Sequence, residues 1–142
     1  MTTDRVVIDT NVIVSGILSA NNYPARIVNT WLEGERFQPI LSEDLKREVT
    51  NVLNRPKIKK RLSRAVDLEI LLPALFKKAT LVSPKKIKNQ VFTDEGDHFL
   101  LELAVSGEAK VIVTGDEGML KHGSFEGLIL VNPRQFCERY EI

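Results

Sequence analysis

The sequence predicts an α/β protein, a doubly wound three-layer sandwich built on a mostly parallel sheet. Two observations lead there. Short runs rich in β-branched residues recur at Arg5 to Ile8, Phe37 to Leu41, Thr80 to Val82, Val111 to Val113 and Leu128 to Val131. Between them lie longer stretches whose apolar residues fall at helical spacing. Parallel neighbours need a long crossover, which a helix supplies, so this alternation argues for five strands with helices on both faces. At 142 residues the chain has the length of one ordinary domain, and residues 1–142 are read as one, with a helical insertion at 55–79.

The elements follow in order. Val6 to Ile8 form a buried strand that runs directly into Asp9-Thr10-Asn11, after which Val12 to Ile17 resume the apolar pattern as a helix. Ile27, Val28, Trp31 and Leu32 mark a helix within Asn22 to Gly34. Leu45, Val49, Val52 and Leu53 mark another, capped by Ser42, with Glu43 and Asp44 complementing the N-terminal dipole. The insertion predicts a helical pair at Ile58 to Arg64 and Val66 to Lys78, with Pro56 and Pro84 punctuating its ends. Asp94 is placed to cap a helix reaching Ser106, and Glu117 to Lys121 form a short one.

Composition excludes several classes. Apolar stretches such as Val12 to Ala20 fall short of the ~20 residues that span a bilayer, and the N-terminus lacks a basic segment leading into a cleavable apolar one. The expectation is a cytoplasmic protein without a membrane partner. Cys137 is alone, which removes intrachain disulfides and cysteine-based zinc cages and leaves a small, half-buried reduced side chain. The formal net charge is only +1, but it is unevenly spread. Arg55 to Lys88 holds eleven basic residues against Asp67 and Glu69, so the remainder of the chain is eight charges negative. A basic middle between acidic flanks suits a polyanion-binding surface beside a metal site, and equally a solvated helical face.

Ligands of open parallel sheets bind outside the carboxyl ends of the strands. Asp9 follows the first strand directly. Asp116 lies three residues past Val113, beyond a turn at Gly115, and Asp97 falls in the first turn of the helix leading to the fourth strand. Glu48 stands six residues past Ser42, about 9 Å down its helix, and its side chain points back toward the edge. Glu43 and Asp44 are nearer the edge, and the residues alone leave that choice open.

Carboxylates converging on one edge without a lysine or arginine in the same loops either take up protons or bind cations. Hard oxygen donors suit Mg²⁺ or Mn²⁺ rather than zinc. Two such ions about 4 Å apart form the clamp for attack of water on a phosphodiester. Each acid also has a purely structural reading: Asp9 and Asp116 as helix caps, Asp97 as the partner of Asp94 in a capping box, Glu48 as a solvated helix-face acid. Independent caps have no reason to share one sheet edge. His98 and His122 read as surface side chains.

Four stretches, "VVIDTNVIVSGIL", "LSEDLKREVTNVLNRPKI", "TDEGDHFLLELAVSGEAKVIVTGDEGML" and "LILVNPRQF", together resemble the PIN domain family, in particular its small prokaryotic toxin-antitoxin members. The resemblance runs over nearly the whole chain. It implies a five-stranded parallel sheet of order 3-2-1-4-5 and a Mg²⁺- or Mn²⁺-dependent ribonuclease, with one or two ions, acting on single-stranded RNA. It further implies a cognate antitoxin protein and a homodimer. The family's catalytic and metal-binding roles carry over onto Asp9, Glu48, Asp97 and Asp116, which selects Glu48 over Glu43 and Asp44. Asn11 and Thr114 match supporting polar residues. Where many relatives have Asp-Pro-Asp-Asp, this chain has Asp94-Glu95-Gly96-Asp97, so Asp94 is either a supporting group or simply the cap.

The expected RNA-binding residues are Arg55, Lys57, Lys59, Lys60, Arg61 and Arg64, on charge alone. Two other readings compete: a PIN-like module that binds RNA or protein without cleaving, and an aspartyl-phosphate protein. The second lacks its pattern. Asn11 replaces the second acid of Asp-x-Asp, and Asn132-Pro133-Arg134 stands where a receiver domain has its lysine.

Overall fold

The computed structural model describes residues 3–142. Strand β1 (Arg5–Ile8) is followed by helices α1 (Thr10–Leu18) and α2 (Tyr23–Glu33), β2 (Gln38–Leu41), α3 (Glu43–Leu53), α4 (Pro56–Lys59) and α5 (Leu68–Lys77). Then come β3 (Thr80–Leu81), α6 (Glu95–Ser106), β4 (Val111–Val113), α7 (Glu117–His122), β5 (Ser124–Phe125), β6 (Leu128–Val131) and α8 (Pro133–Tyr140). The sheet order is β3-β2-β1-β4-β6-β5. The five expected strands pair in parallel in the expected order, with β6 as the fifth.

The sheet differs from the expectation by a sixth strand, β5, antiparallel to β6 at the edge. Two residues carry no alternation to read. The hairpin's marker is its turn, where Glu126 and Gly127 take φ of 46° and 88°, the left-handed pair that a tight two-residue hairpin demands. The insertion differs too. In place of two helices over 58–64 and 66–78 there is one turn of helix at α4, then turns, then α5. Ile58 and Leu62 alone give too short an apolar stripe to extend α4. Ser63 breaks the chain there: its carbonyl accepts from the Val66 N–H and its hydroxyl from the Ala65 N–H.

Connections dictate the layers. The chain steps from β1 to β2 in one direction and returns from β3 to β4 in the other, so right-handed crossovers place the two sets of helices on opposite faces. Helix α6 packs over β1, β2 and β4, while α1, α2, α3, α5 and α8 pack among themselves. Val6, Val7, Ile40, Val111, Ile112 and Val113, in the central strands, are completely inaccessible to solvent. Gly16 lets α1 and α2 meet closely, since a Cβ there would lie 2.4 Å from the Pro24 carbonyl oxygen. The buried indole of Trp31 donates to the Leu75 carbonyl at 2.9 Å, fastening α5 onto α2. Cys137 is fully buried on α8 rather than half-buried, and among the described residues it is the one cysteine. None of the described helices is long and apolar enough to cross a membrane.

Candidate active site

Register brings the first two site residues together. Ile8 lies opposite Val113, the ladder continues with the Asp9 N–H donating to the Val113 carbonyl at 2.9 Å, and Thr114 follows at the end of β4. The Thr114 side chain, wholly buried, donates from Oγ1 to Asp9 Oδ2 at 2.8 Å and accepts from the Asp116 N–H at 3.1 Å. One hydroxyl therefore fixes the acid at the end of β1 and the backbone of the acid after β4. Asn11 also supports Asp9, but through its backbone N–H, 3.4 Å from Oδ1; the residue lines the crevice, and its side-chain amide makes no hydrogen bond to Asp9.

The structural reading holds for three of these acids, which cap helices at the edge. Asp9 caps α1; Asp116 caps α7, with Oδ1 accepting from the Met119 N–H at 2.9 Å; Asp94 caps α6, with Oδ1 accepting from the Asp97 N–H at 2.9 Å. Capping by Asp94 sets the direction in which Asp97 leaves the helix. Helices α1, α3, α6 and α7 all begin at this edge, and their dipoles offset part of the negative charge gathered there.

A crevice of about 780 Å³ joins these residues. Seven carboxylates line it, those of Asp9, Asp44, Glu48, Asp94, Glu95, Asp97 and Asp116, and no lysine, arginine or histidine does. Of the three acids competing on α3, Glu43 does not line it and lies 3.8 Å from Lys46. Asp44 lines it but is engaged by Arg47 at 2.8 Å, which leaves Glu48 as the uncommitted one. Burial raises the Asp9 pKa, opposed by the hydrogen bonds from Thr114 and Asn11 and reinforced by the charges of Glu48 and Asp116. Asp97 is pushed up to about 6 by desolvation first and then by Asp116, Asp94 and Asp9.

Such a donor set, oxygen throughout and with only Asp44 among the seven acids paired to a cation, fits a hard divalent metal. As they stand the carboxylates are spread along the crevice: among the described residues no three His, Cys, Asp or Glu side chains are gathered closely enough to hold an ion. Mutual repulsion of unneutralised acids favours that spreading.

The basic run is not brought to the crevice. Arg55, Lys57, Lys59, Lys60, Arg61 and Arg64 follow the far end of α3, about 16 Å along the helix from its N-terminus. Lys59 and Arg64 line a separate groove against α5. Two side chains that the sequence did not single out as binding groups lie beside the crevice: Lys121 and His122 share with Asp94 and Asp97 a recess of about 420 Å³. Phe99, also missed, lines the crevice itself. It lies outside the set that packs into the core from this helix, Leu100, Leu101, Leu103 and Ala104.

An open, mostly parallel sheet with an acidic crevice at its switch point defines the class: an α/β domain whose ligand-binding edge is lined by carboxylates. The chain belongs to the PIN domain family, whose family model matches residues 5–118. PIN domains are in general nucleases that use divalent metal ions. An uncharacterised protein of Methanocaldococcus jannaschii is 26% identical over 96% of this chain and 92% of its own length. Among solved structures, VapBC2 from Rickettsia felis, bound to a DNA fragment from its promoter, is similar in fold. Its TM-score is 0.56 at 13% identity, covering 90% of this chain and 98% of that one.

Proposed function

We propose that the protein is a Mg²⁺- or Mn²⁺-dependent endoribonuclease that cleaves single-stranded RNA. The observation that carries this reading is the crevice itself, lined by seven carboxylates and by no basic side chain at the carboxyl edge of a PIN domain's sheet. Asp9, Glu48, Asp97 and Asp116 would hold one or two ions. When bound, these supply an activated water and offset the charge that develops on the phosphate, leaving a 5′-phosphate and a 3′-hydroxyl. The chain's own groups hold the ligands in place: Thr114 fixes Asp9 and the backbone of Asp116, the Asn11 N–H steadies the other Asp9 oxygen, and Asp94 sets the start of α6. No covalent intermediate is required.

We further propose that it is the toxin of a type II toxin-antitoxin pair, acting in the cytoplasm as a homodimer. The resemblance to small prokaryotic PIN toxins supports this, together with the fold shared with a VapBC complex. The decisive experiment is cleavage of a labelled single-stranded RNA with Mn²⁺, with EDTA, and by Asp9→Asn. Metal-dependent cleavage lost in the variant, with its circular dichroism unchanged, is the expected result; undiminished cleavage by Asp9→Asn would falsify the assigned site. The separation of the acids favours a second reading, a binding module without catalysis. Calorimetric titration with Mn²⁺ separates the two, since the module takes up no ion at this edge.

A further inference from the structure

Phe99 is the one aromatic side chain that lines the acidic crevice. Among the described residues it belongs neither to the buried core nor to the shell of half-buried apolar side chains packed against it, and it stacks on no other ring. The two other apolar residues of the crevice, Leu45 and Leu100, are core residues at 2% and 5% exposure. Folding thus accounts for them and not for the half-buried ring. Residues two apart on a helix stand about 200° apart around its axis, so Phe99 leaves α6 on a different side from Asp97. The ring lines the crevice from a side of the helix that the Asp97 carboxylate does not occupy.

A phenyl ring neither coordinates a cation nor exchanges a proton. What it offers is a flat apolar face, and in a nucleic acid the group with a matching face is the base. Bases inside a duplex are covered by their neighbours; an unpaired base in a single strand is free to move onto the ring. Resting on the ribonuclease reading above, we propose that Phe99 is the platform on which an unpaired base next to the scissile phosphate stacks, making it a specificity-determining residue that selects single-stranded RNA.

The test has two arms. In cleavage assays with Mn²⁺, Phe99→Ala is expected to raise KM about 5- to 140-fold with kcat retained, the equivalent of the ~1–3 kcal/mol of one base–aromatic stack. Phe99→Tyr and Phe99→Trp should restore KM, whereas Phe99→Leu, which keeps apolar bulk without a π face, should not. A merely structural ring would be rescued by leucine as well. The second arm reads the ring directly through Phe99→Trp in an Asp9→Asn background with Mg²⁺. Trp31 is 2% exposed, so its emission stays constant. A single-stranded hexaribonucleotide should quench the new tryptophan saturably, and an abasic strand of equal length or a blunt duplex should not. Unchanged KM in Phe99→Ala, rescue by leucine, or equal quenching by the abasic strand overturns the proposal. Loss of metal-dependent cleavage in the parent protein instead defeats the nuclease reading, and the quenching arm still reports on Phe99 alone.

Discussion

The two ends of α3 carry opposite chemistry and are built by opposite means. At its N-terminus the Ser42 hydroxyl accepts from the Leu45 N–H at 3.1 Å, and Asp44 and Glu48 enter a crevice whose other acids are set by strand register or by helix caps. Past its C-terminus six cations stand exposed on one helical turn and a run of bends, and among the described residues none of them forms an ion pair. Holding a metal requires ligands placed to fractions of an ångström, which only a rigid frame provides. Attracting a polyphosphate requires charge within about a Debye length of ~8 Å, which a loosely organised segment provides as well. The contrast ranks what substitutions at each end should do.

The largest effect is expected at the acids. Asp97→Asn should lower kcat by about 10³-fold, several kcal/mol of lost transition-state stabilisation, while leaving the fold intact by circular dichroism. Retention of more than a tenth of the activity would place the metal elsewhere. Thr114→Val comes next. It removes the hydroxyl that orients Asp9 and satisfies the Asp116 N–H, so a 10- to 100-fold loss of metal affinity is expected, as for other groups that orient ligands. Its unfolding free energy should fall by about 1 kcal/mol, because the hydroxyl's two part-buried hydrogen bonds are lost. Thr114→Ser keeps the hydroxyl and should keep most of both quantities, measured by Mn²⁺ calorimetry and urea unfolding.

Much of this end was legible in the sequence because strands and caps announce themselves locally. Asp9 after Val6-Val7-Ile8 and Asp116 after Val113 could be placed at the edge by counting. The double role of the Thr114 hydroxyl could not, because it depends on the pairing of Ile8 with Val113 across more than a hundred residues. Asn11 shows the converse: the residue was found, but its contribution is a backbone N–H that any non-proline side chain would leave in place. Phe99 escaped because helical spacing in α6 picks out Leu100, Leu101, Leu103 and Ala104, and what surrounds a ring outside that set depends on packing. The run from Arg55 was found as charge, and its separation from the acids follows from its place past the far end of α3.

That distance makes a weaker effect the expectation at the basic end. Lys59→Ala, Lys60→Ala and Arg61→Ala combined should raise KM several-fold at low salt with kcat unchanged. If all three contact phosphates of a single strand, the slope of log KM against log salt should flatten by about 2, at ~0.7 per contact. An unaltered slope would reduce the run to a solvated face. In that case the same measurement on Lys121→Ala asks whether the recess beside Asp94 and Asp97 is where the backbone is gripped.

The smallest effect is a titration, and its sign distinguishes the ends most cleanly, because only the acidic end holds a carboxyl raised above its ordinary value. Asp97 moves from 3.8 to about 6 on folding, so between those values the folded state binds more protons than the unfolded one. Stability contributed by this group is therefore present at low pH and is lost as pH rises through about 6. Asp97 is partly exposed and solvent screens the interaction, so the change should stay below about 1 kcal/mol, or ~2–4 °C in Tm. It is read as the difference in Tm between the parent and Asp97→Asn in EDTA, which cancels the titration of acids elsewhere. The difference should turn against the parent as pH rises through this window. Millimolar Mg²⁺ should restore the parent above pH 6, because a cation relieves the same repulsion that a proton does below it. A difference that is flat with pH, or one that favours the parent as pH rises, would mean that Asp97 is held by a neighbouring donor and is not crowded by the other carboxylates.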